Sequence, residues 1–208
     1  MNAAVVVPVK ALTLAKQRLA PDLDEEMRGR LARWMADRVV LACAPWPVFV
    51  VCDDDDVAAW AAELGATIVT PDGSGLNRAV EAGLDAVSAA GFDHVVITHA
   101  DLPLPSGITR VPRARAITLV PDDRRDGTNV LAFPTATRLT ADYGAASFAR
   151  HLAQASAVAD TDGLMVEVRA DPQLALDIDT PADLRHPRLR KVLPTWLPTN
   201  PDNPSIPA

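Results

Sequence analysis

Val95-Val96-Ile97-Thr98-His99-Ala100-Asp101-Leu102-Pro103-Leu104 is the stretch that decides how this chain folds. An uncharged run of β-branched residues reads as a strand buried on both faces, as strands inside parallel sheets are. Pro103 cannot donate to a ladder, so the strand stops and leaves Asp101 at its C-terminal tip. Far downstream, Asp177-Ile178-Asp179-Thr180-Pro181-Ala182-Asp183-Leu184 forms a second acidic turn. Carboxylates from two such turns are what a divalent cation needs. Mg²⁺ takes one or two of them and completes its shell with phosphate oxygens and water. The first expectation is metal-assisted chemistry on a phosphorylated substrate.

Working outward from that strand, the first half of the chain alternates strand and helix. Strands are expected over Ala3–Val9, Val48–Cys52 and Thr67–Val69, with His94–Thr98 as the fourth. Helices are expected from Asp22 or Asp24 as cap to Ala42, over Val57–Leu64 ended by Gly65, and over Leu76–Ala90 ended by Gly91. This alternation predicts an α/β fold with a mostly parallel, doubly wound sheet and right-handed crossovers. Beyond it, Ala116–Val120 and Val130–Phe133 lie close together, predicting an antiparallel extension of the sheet. A helix over Ala145–Ala157, a strand at Leu164–Val168 and a short helix from Pro181 follow. Residues 1–186 are read as one domain. From Pro187 to Ala208 recurrent prolines predict an extended tail without regular structure.

The 208 residues suffice for one domain with a full core, and 49% are apolar with only 4% aromatic, so Val, Leu, Ile and Ala must fill that core. A net charge of −7 argues against a nucleic-acid binder or an anionic-membrane binder. Local cations can still reverse the sign inside a cleft. Cys43 and Cys52 lack metal-ligand spacing and read as reduced core thiols. With no signal peptide and no run near the length of a bilayer span, the expected location is the cytoplasm. Self-association is left open.

In open α/β sheets ligands sit beyond the carboxyl ends of the strands. The first strand runs into Pro8-Val9-Lys10, followed by Lys16-Gln17-Arg18. Lys10, Lys16 and Arg18 suit a triphosphate, Arg as a fork and Lys as a point charge; a solvated basic turn is the plainer alternative. A P-loop and a GxGxxG segment are both missing, which excludes those nucleotide sites. Thr70-Pro71-Asp72-Gly73-Ser74-Gly75-Leu76-Asn77 reads either as a ligand loop, with Asn77 facing a base edge, or as a helix start capped by Ser74. Asp126-Gly127-Thr128-Asn129 is at least a turn. Tyr143-Gly144-Ala145-Ala146-Ser147-Phe148 opens a helix whose N-terminus either binds an anion or is simply capped. The run Asp53–Asp56 reads as a helix start favoured by the macrodipole. His99, two residues before Asp101, either supports a ligand from behind or simply packs.

Taken in order, PVK…AKQRLA, GLN, ADLPL, DGTN, YGAASFARH and DIDTPADL resemble the 2-phospholactate/phosphoenolpyruvate guanylyltransferase family of coenzyme F-420 biosynthesis. The resemblance covers roughly Val5 to Leu184. It implies a GT-A-like nucleotidyltransferase fold, GTP as co-substrate, Mg²⁺, and a small phosphorylated acid as acceptor. By resemblance Asp101 and Asp179 are the metal ligands, and Thr128, Gly144 and Ser147 hold the acceptor. Lys10, Lys16 and Arg18 hold phosphates, while Pro8, Pro71, Asp72, Gly75 and Asn77 lie about the nucleotide. Two other readings remain: a nucleotidyltransferase for a sugar phosphate or molybdopterin, which usually begins with a Gly-rich segment missing here, and a non-catalytic nucleotide-binding protein.

Overall fold

A computed structural model describes residues 1–137 and 139–198. Among the described residues seven strands form one sheet: β1 (Ala3–Pro8), β2 (Val48–Val51), β3 (Thr67–Val69), β4 (His94–Thr98), β5 (Ala116–Pro121), β6 (Thr128–Pro134) and β7 (Met165–Val168). Their order is β3-β2-β1-β4-β6-β5-β7. β1 pairs in parallel with both β2 and β4, placing Val5 beside Val48 and Val96. The expected antiparallel extension is present at β6. Only β6 is reversed, against β4 and β5, and β7 returns parallel to β5.

The described residues include five α-helices, α1 (Glu25–Ala42), α2 (Asp55–Glu63), α3 (Leu76–Ala89), α4 (Ser147–Asp162) and α5 (Pro181–Leu184), the first four flanking the sheet. Successive strand residues point to opposite faces, so β1 feeds two cores. Val5 and Val7 pack with Ala36, Val39 and Trp60 beneath α1 and α2. Ala4 and Val6 pack with Val80, Val87, Phe148 and Ala155 beneath α3 and α4. The approach of α3 to β1 depends on Gly83, where a Cβ would overlap the Val6 side chain. Asp24 is the cap of α1, accepting from the Met27 N–H at 2.8 Å.

Three local expectations are corrected. Ser74 is not the cap of α3: Gly75 takes that position at φ 96°, a backbone open to glycine and strained for other residues. α4 runs on to Asp162, because Gly163 in the left-handed region, rather than a change in composition, ends it. The segment from Pro187 is not wholly without regular structure. Pro187–Leu189 forms a 3-10 turn, and Leu189, Leu193 and Leu197 are buried with Leu19, Leu31, Met35, Leu176 and Ile178 in a third apolar cluster. Prolines stop ladders and helices, but they do not stop leucines spaced four apart from packing. The rest of the expected tail, 199–208, lies outside the described residues. Among the described residues no helix is long and apolar enough to cross a membrane.

Candidate active site

The C-terminal ends of β2, β1 and β4 lie side by side because these strands are parallel neighbours. β1 ends at Pro8 and leads through Lys10 to a 3-10 turn, Gln17–Leu19, anchored by fully buried Leu19. Lys16 precedes that turn in a left-handed conformation, φ 55°, which costs a non-glycine residue about 1–2 kcal/mol. The strain aims its side chain inward. The Lys16 Nζ donates to Asp101 Oδ2 and to Asp179 Oδ1, each at 2.7 Å, with the lysine side chain only 9% exposed. The Ile178 N–H donates to the Asp101 carbonyl at 3.4 Å, tying the two acidic turns together through the main chain. Behind them Asp183 accepts the N–H groups of Asp179 and Thr180 at 3.0 and 2.7 Å and fixes the start of α5.

Sequence reasoning missed a third carboxylate. Ligand oxygens of Asp101, Asp177 and Asp179 lie within 4.8 Å of one another. The i, i+2 spacing of Asp177 and Asp179 was the available signal, since alternate residues of an extended segment share a face. Burial opposes ionisation of Asp101, yet the Lys16 ammonium holds its carboxyl below the usual range. Burial likewise works against the charge on Lys16, and the two flanking carboxylates raise its affinity for the proton above the ordinary value. At Asp177 the balance goes the other way: burial, then the Asp101 and Asp179 charges, outweigh the Lys16 ammonium and push it up to about 7.

These residues fit a hard divalent cation. Mg²⁺ ligands at about 2.1 Å put two oxygens at most about 4.2 Å apart, so small side-chain rotations bring all three carboxylates onto one ion. Asp101 Oδ1 supports the fit from another direction, being buried without a protein hydrogen-bond partner. A buried acceptor left unpaired costs about 1–3 kcal/mol, and a metal ion removes that penalty.

Beside this centre, a cavity of about 270 Å³ opens between the end of β1 and the start of α3. Pro8, Lys10, Pro71 and Gly75 are among the residues that line it. The other expected residues are placed elsewhere. Lys16 is committed to the carboxylates, and Arg18 is 74% exposed with Nη1 3.9 Å from Asp179 Oδ2. Asp72 pairs with Arg78 at 3.0 Å. Asn77 does not offer its amide to a base: it accepts from the Tyr143 N–H at 2.7 Å and donates to the Tyr143 carbonyl at 3.4 Å.

That clamp leads to the third part of the site. Thr128, Gly144 and Ser147 belong to two segments brought together by Asp126, whose Oδ1 accepts from the Ala146 N–H at 3.1 Å and whose carbonyl accepts from the Phe148 N–H at 3.0 Å. Gly144 adopts φ 127°. Arg150 braces the loop through the Asp142 carboxylate at 2.8 Å and the Ala145 carbonyl. His151, unassigned from sequence, lies beneath it. The Asp142 N–H donates to His151 Nε2 at 3.2 Å, so the proton sits on Nδ1, which donates to Thr128 Oγ1 at 3.0 Å. Burial lowers the His151 pKa to about 4, so the ring is neutral at pH 7. No spacing marked this histidine; only the pairing of α4 with β6 gives it a role. Tyr143 joins the loop to the Asp101 turn by edge-on ring contacts to His99 at 5.3 Å and His151 at 4.7 Å.

Comparison with known proteins places this fold among relatives of known kind. In structure the chain resembles a nucleotide-diphospho-sugar transferase of Desulfovibrio desulfuricans (TM-score 0.71, 15% identity, 96% of this chain and 92% of that one). It also resembles a nucleotidyl transferase of Methanothermobacter thermautotrophicus (TM-score 0.60, 15% identity, 91% and 96%). These likenesses speak to the fold alone. In sequence it is 36% identical to the phosphoenolpyruvate guanylyltransferase of Sphaerobacter thermophilus over 88% of this chain and 91% of that one. It is 33% identical to the 2-phospho-L-lactate guanylyltransferase of M. thermautotrophicus over 88% and 83%. The family described as "Guanylyl transferase CofC like" matches residues 3–188, all three parts of the site included, and the chain belongs to that family of nucleotidyltransferases.

Proposed function

We propose that this enzyme, acting in the cytoplasm with Mg²⁺, transfers GMP from GTP to the phosphate of a three-carbon acid and releases pyrophosphate, as a step of coenzyme F-420 biosynthesis. Candidate acceptors are 2-phospholactate, phosphoenolpyruvate and 3-phosphoglycerate. The observation that carries this reading is the acidic centre, where one lysine holds two distant carboxylates and Asp177 stands third.

In the reaction an oxygen of the acceptor phosphate attacks the α-phosphorus of GTP. A phosphorus–oxygen bond forms there, the bond to the β-phosphate oxygen breaks, and pyrophosphate departs with the electron pair. The nucleophile is already ionised at neutral pH, so no general base is needed, in keeping with a neutral His151 held away from proton transfer. Mg²⁺ held by Asp101, Asp177 and Asp179 would supply charge neutralisation between the two anions. Lys10 meets the nucleotide phosphates from the cavity wall, and Arg18 meets them from the mouth. Because His151 donates into Thr128 Oγ1, the threonine hydroxyl hydrogen is free to point at the acceptor anion. Ser147 Oγ, without a hydrogen-bond partner among the described residues, offers a second donor beside it. Positioning and charge then do most of the catalysis.

The test is a matrix of four nucleoside triphosphates against the three acids with Mg²⁺, read by product mass. A GMP adduct of at least one acid is expected. Pyrophosphate release with equal use of all four bases, or with no adduct of any acid, refutes the reading.

A further inference from the structure

Of the four consecutive aspartates 53–56, helix α2 uses three. Asp54 is its cap, accepting from the Val57 N–H at 2.9 Å, and Asp55 and Asp56 lie in its first turn, where the macrodipole favours them. Asp53 does none of this. Its side chain makes no hydrogen bond or ion pair with any described residue, and it is the one acidic group lining the cavity between β1 and α3. The other charged lining residue is Lys10; the rest of the wall is apolar or small, including Val9, Leu76, Gly73 and Gly75. Asp72, also in that loop, has its charge taken up by Arg78.

We propose that Asp53 reads the base of the nucleotide, accepting hydrogen bonds from the N1–H and exocyclic amine of guanine. The proposal rests on the nucleotide reading above and deepens it. A flat ring fits between the Pro8 segment and the glycine-rich loop, whose glycines allow close approach. Guanine alone among the four common bases presents two adjacent donors on its Watson–Crick edge, and a carboxylate accepts both. Position agrees as well. Asp53 follows β2 and Asp101 follows β4, with β1 between them, so the two are roughly 10 Å apart across the sheet. That separation suits a nucleoside with its base on Asp53 and its α-phosphate at the acidic centre. Adenine, turning an acceptor toward the carboxylate, would be repelled.

The chemistry gives a test by exchange of specificity. In Asp53→Asn the amide oxygen still accepts N1–H, but the amide nitrogen now opposes the guanine amine. It complements xanthine instead, which carries a carbonyl at that position. Binding of GTP, ITP and XTP is measured by calorimetry on wild type and variant, and pyrophosphate release separately. Wild type should bind GTP about 10- to 100-fold more tightly than ITP, which lacks the amine, the range expected of one hydrogen bond to a charged acceptor. Asp53→Asn should lose about 100-fold for GTP and bind XTP more tightly than GTP. Asp53→Ala should level the three nucleotides, and unchanged thermal midpoints confirm that both variants are folded. A GTP-to-XTP ratio within threefold of wild type in both variants overturns the proposal. If pyrophosphate is never released while base preference still switches, base recognition stands and the catalytic reading fails.

Discussion

At the acidic centre the charges are bound to one another: Lys16 holds Asp101 and Asp179, and Arg18 stands at the mouth. One strand away, around the cavity, Lys10 and Asp53 face open space without partners among the described residues. The first region is organised before any ligand arrives, and the second leaves its polar groups available. Catalysis by charge needs preorganised groups that do not have to rearrange. Recognition needs groups whose water is released only to the right partner.

The contrast is broken most severely at Asp101. Asp101→Asn keeps the shape but removes one negative charge and the unpaired Oδ1 acceptor, and turnover should fall by about three orders of magnitude, as loss of several kcal/mol implies. Near-normal pyrophosphate release with Mg²⁺ would remove the centre from the mechanism. Lys16→Met tests the preorganisation itself. Removing one member of a buried pair costs about 3–5 kcal/mol, and the 38% exposure of Asp179 brings the expected loss toward 2–3 kcal/mol. The loss should appear in urea unfolding with chelator present. Added Mg²⁺ should stabilise the variant more than wild type, because the ion no longer competes with the ammonium for the same oxygens. An equal response in both proteins would show that lysine and metal use different oxygens.

Smaller effects sharpen the comparison on the acceptor side. Asn77→Ala removes both bonds to the Tyr143 backbone, and at about 1 kcal/mol each the KM for the acceptor should rise about 30-fold. The KM for GTP should change less; the reverse order would return Asn77 to the nucleotide. His151 gives a pH signature. Its folded pKa of about 4 lies below the ordinary 6.5, so the unfolded chain takes up the proton first. Its contribution to stability is full above about pH 6.5 and is lost as pH falls toward 4, at up to about 1.4 kcal/mol per pH unit. Urea midpoints across that window should show the slope in wild type and a shallower one in His151→Asn.

The strands and α1–α3 were legible because valine runs and capping residues are local signals, and every expected strand is present within two residues at each end. The Asp101 turn was legible for the same reason: a proline and a carboxylate after a buried run need no tertiary information. Asp177 was visible as a residue but not as a ligand, since its partners converge only when the segment lies against β4. The inward reach of Lys16 depends on a left-handed backbone that no residue type announces. Asn77 has the chemistry of a base reader, and only the position of Tyr143 diverts it. For the C-terminal segment, proline content outweighed leucine spacing, although the leucines decide where it lies.

That segment has a consequence for the reaction. The family match ends at 188, yet Leu189, Leu193 and Leu197 lie beyond it and are buried. Their cluster includes Leu176 and Ile178, which alternate with Asp177 and Asp179, and Leu19, one residue past Arg18. Trp196, under the Arg30 guanidinium at 4.3 Å, pins the far side. The last described turns of the chain therefore act as a keel, weighting from below the two strips of backbone that carry opposite charges to the acidic centre. At roughly 1.5–3 kcal/mol for each buried leucine, the ballast outside the family boundary governs how firmly the residues inside it are steered.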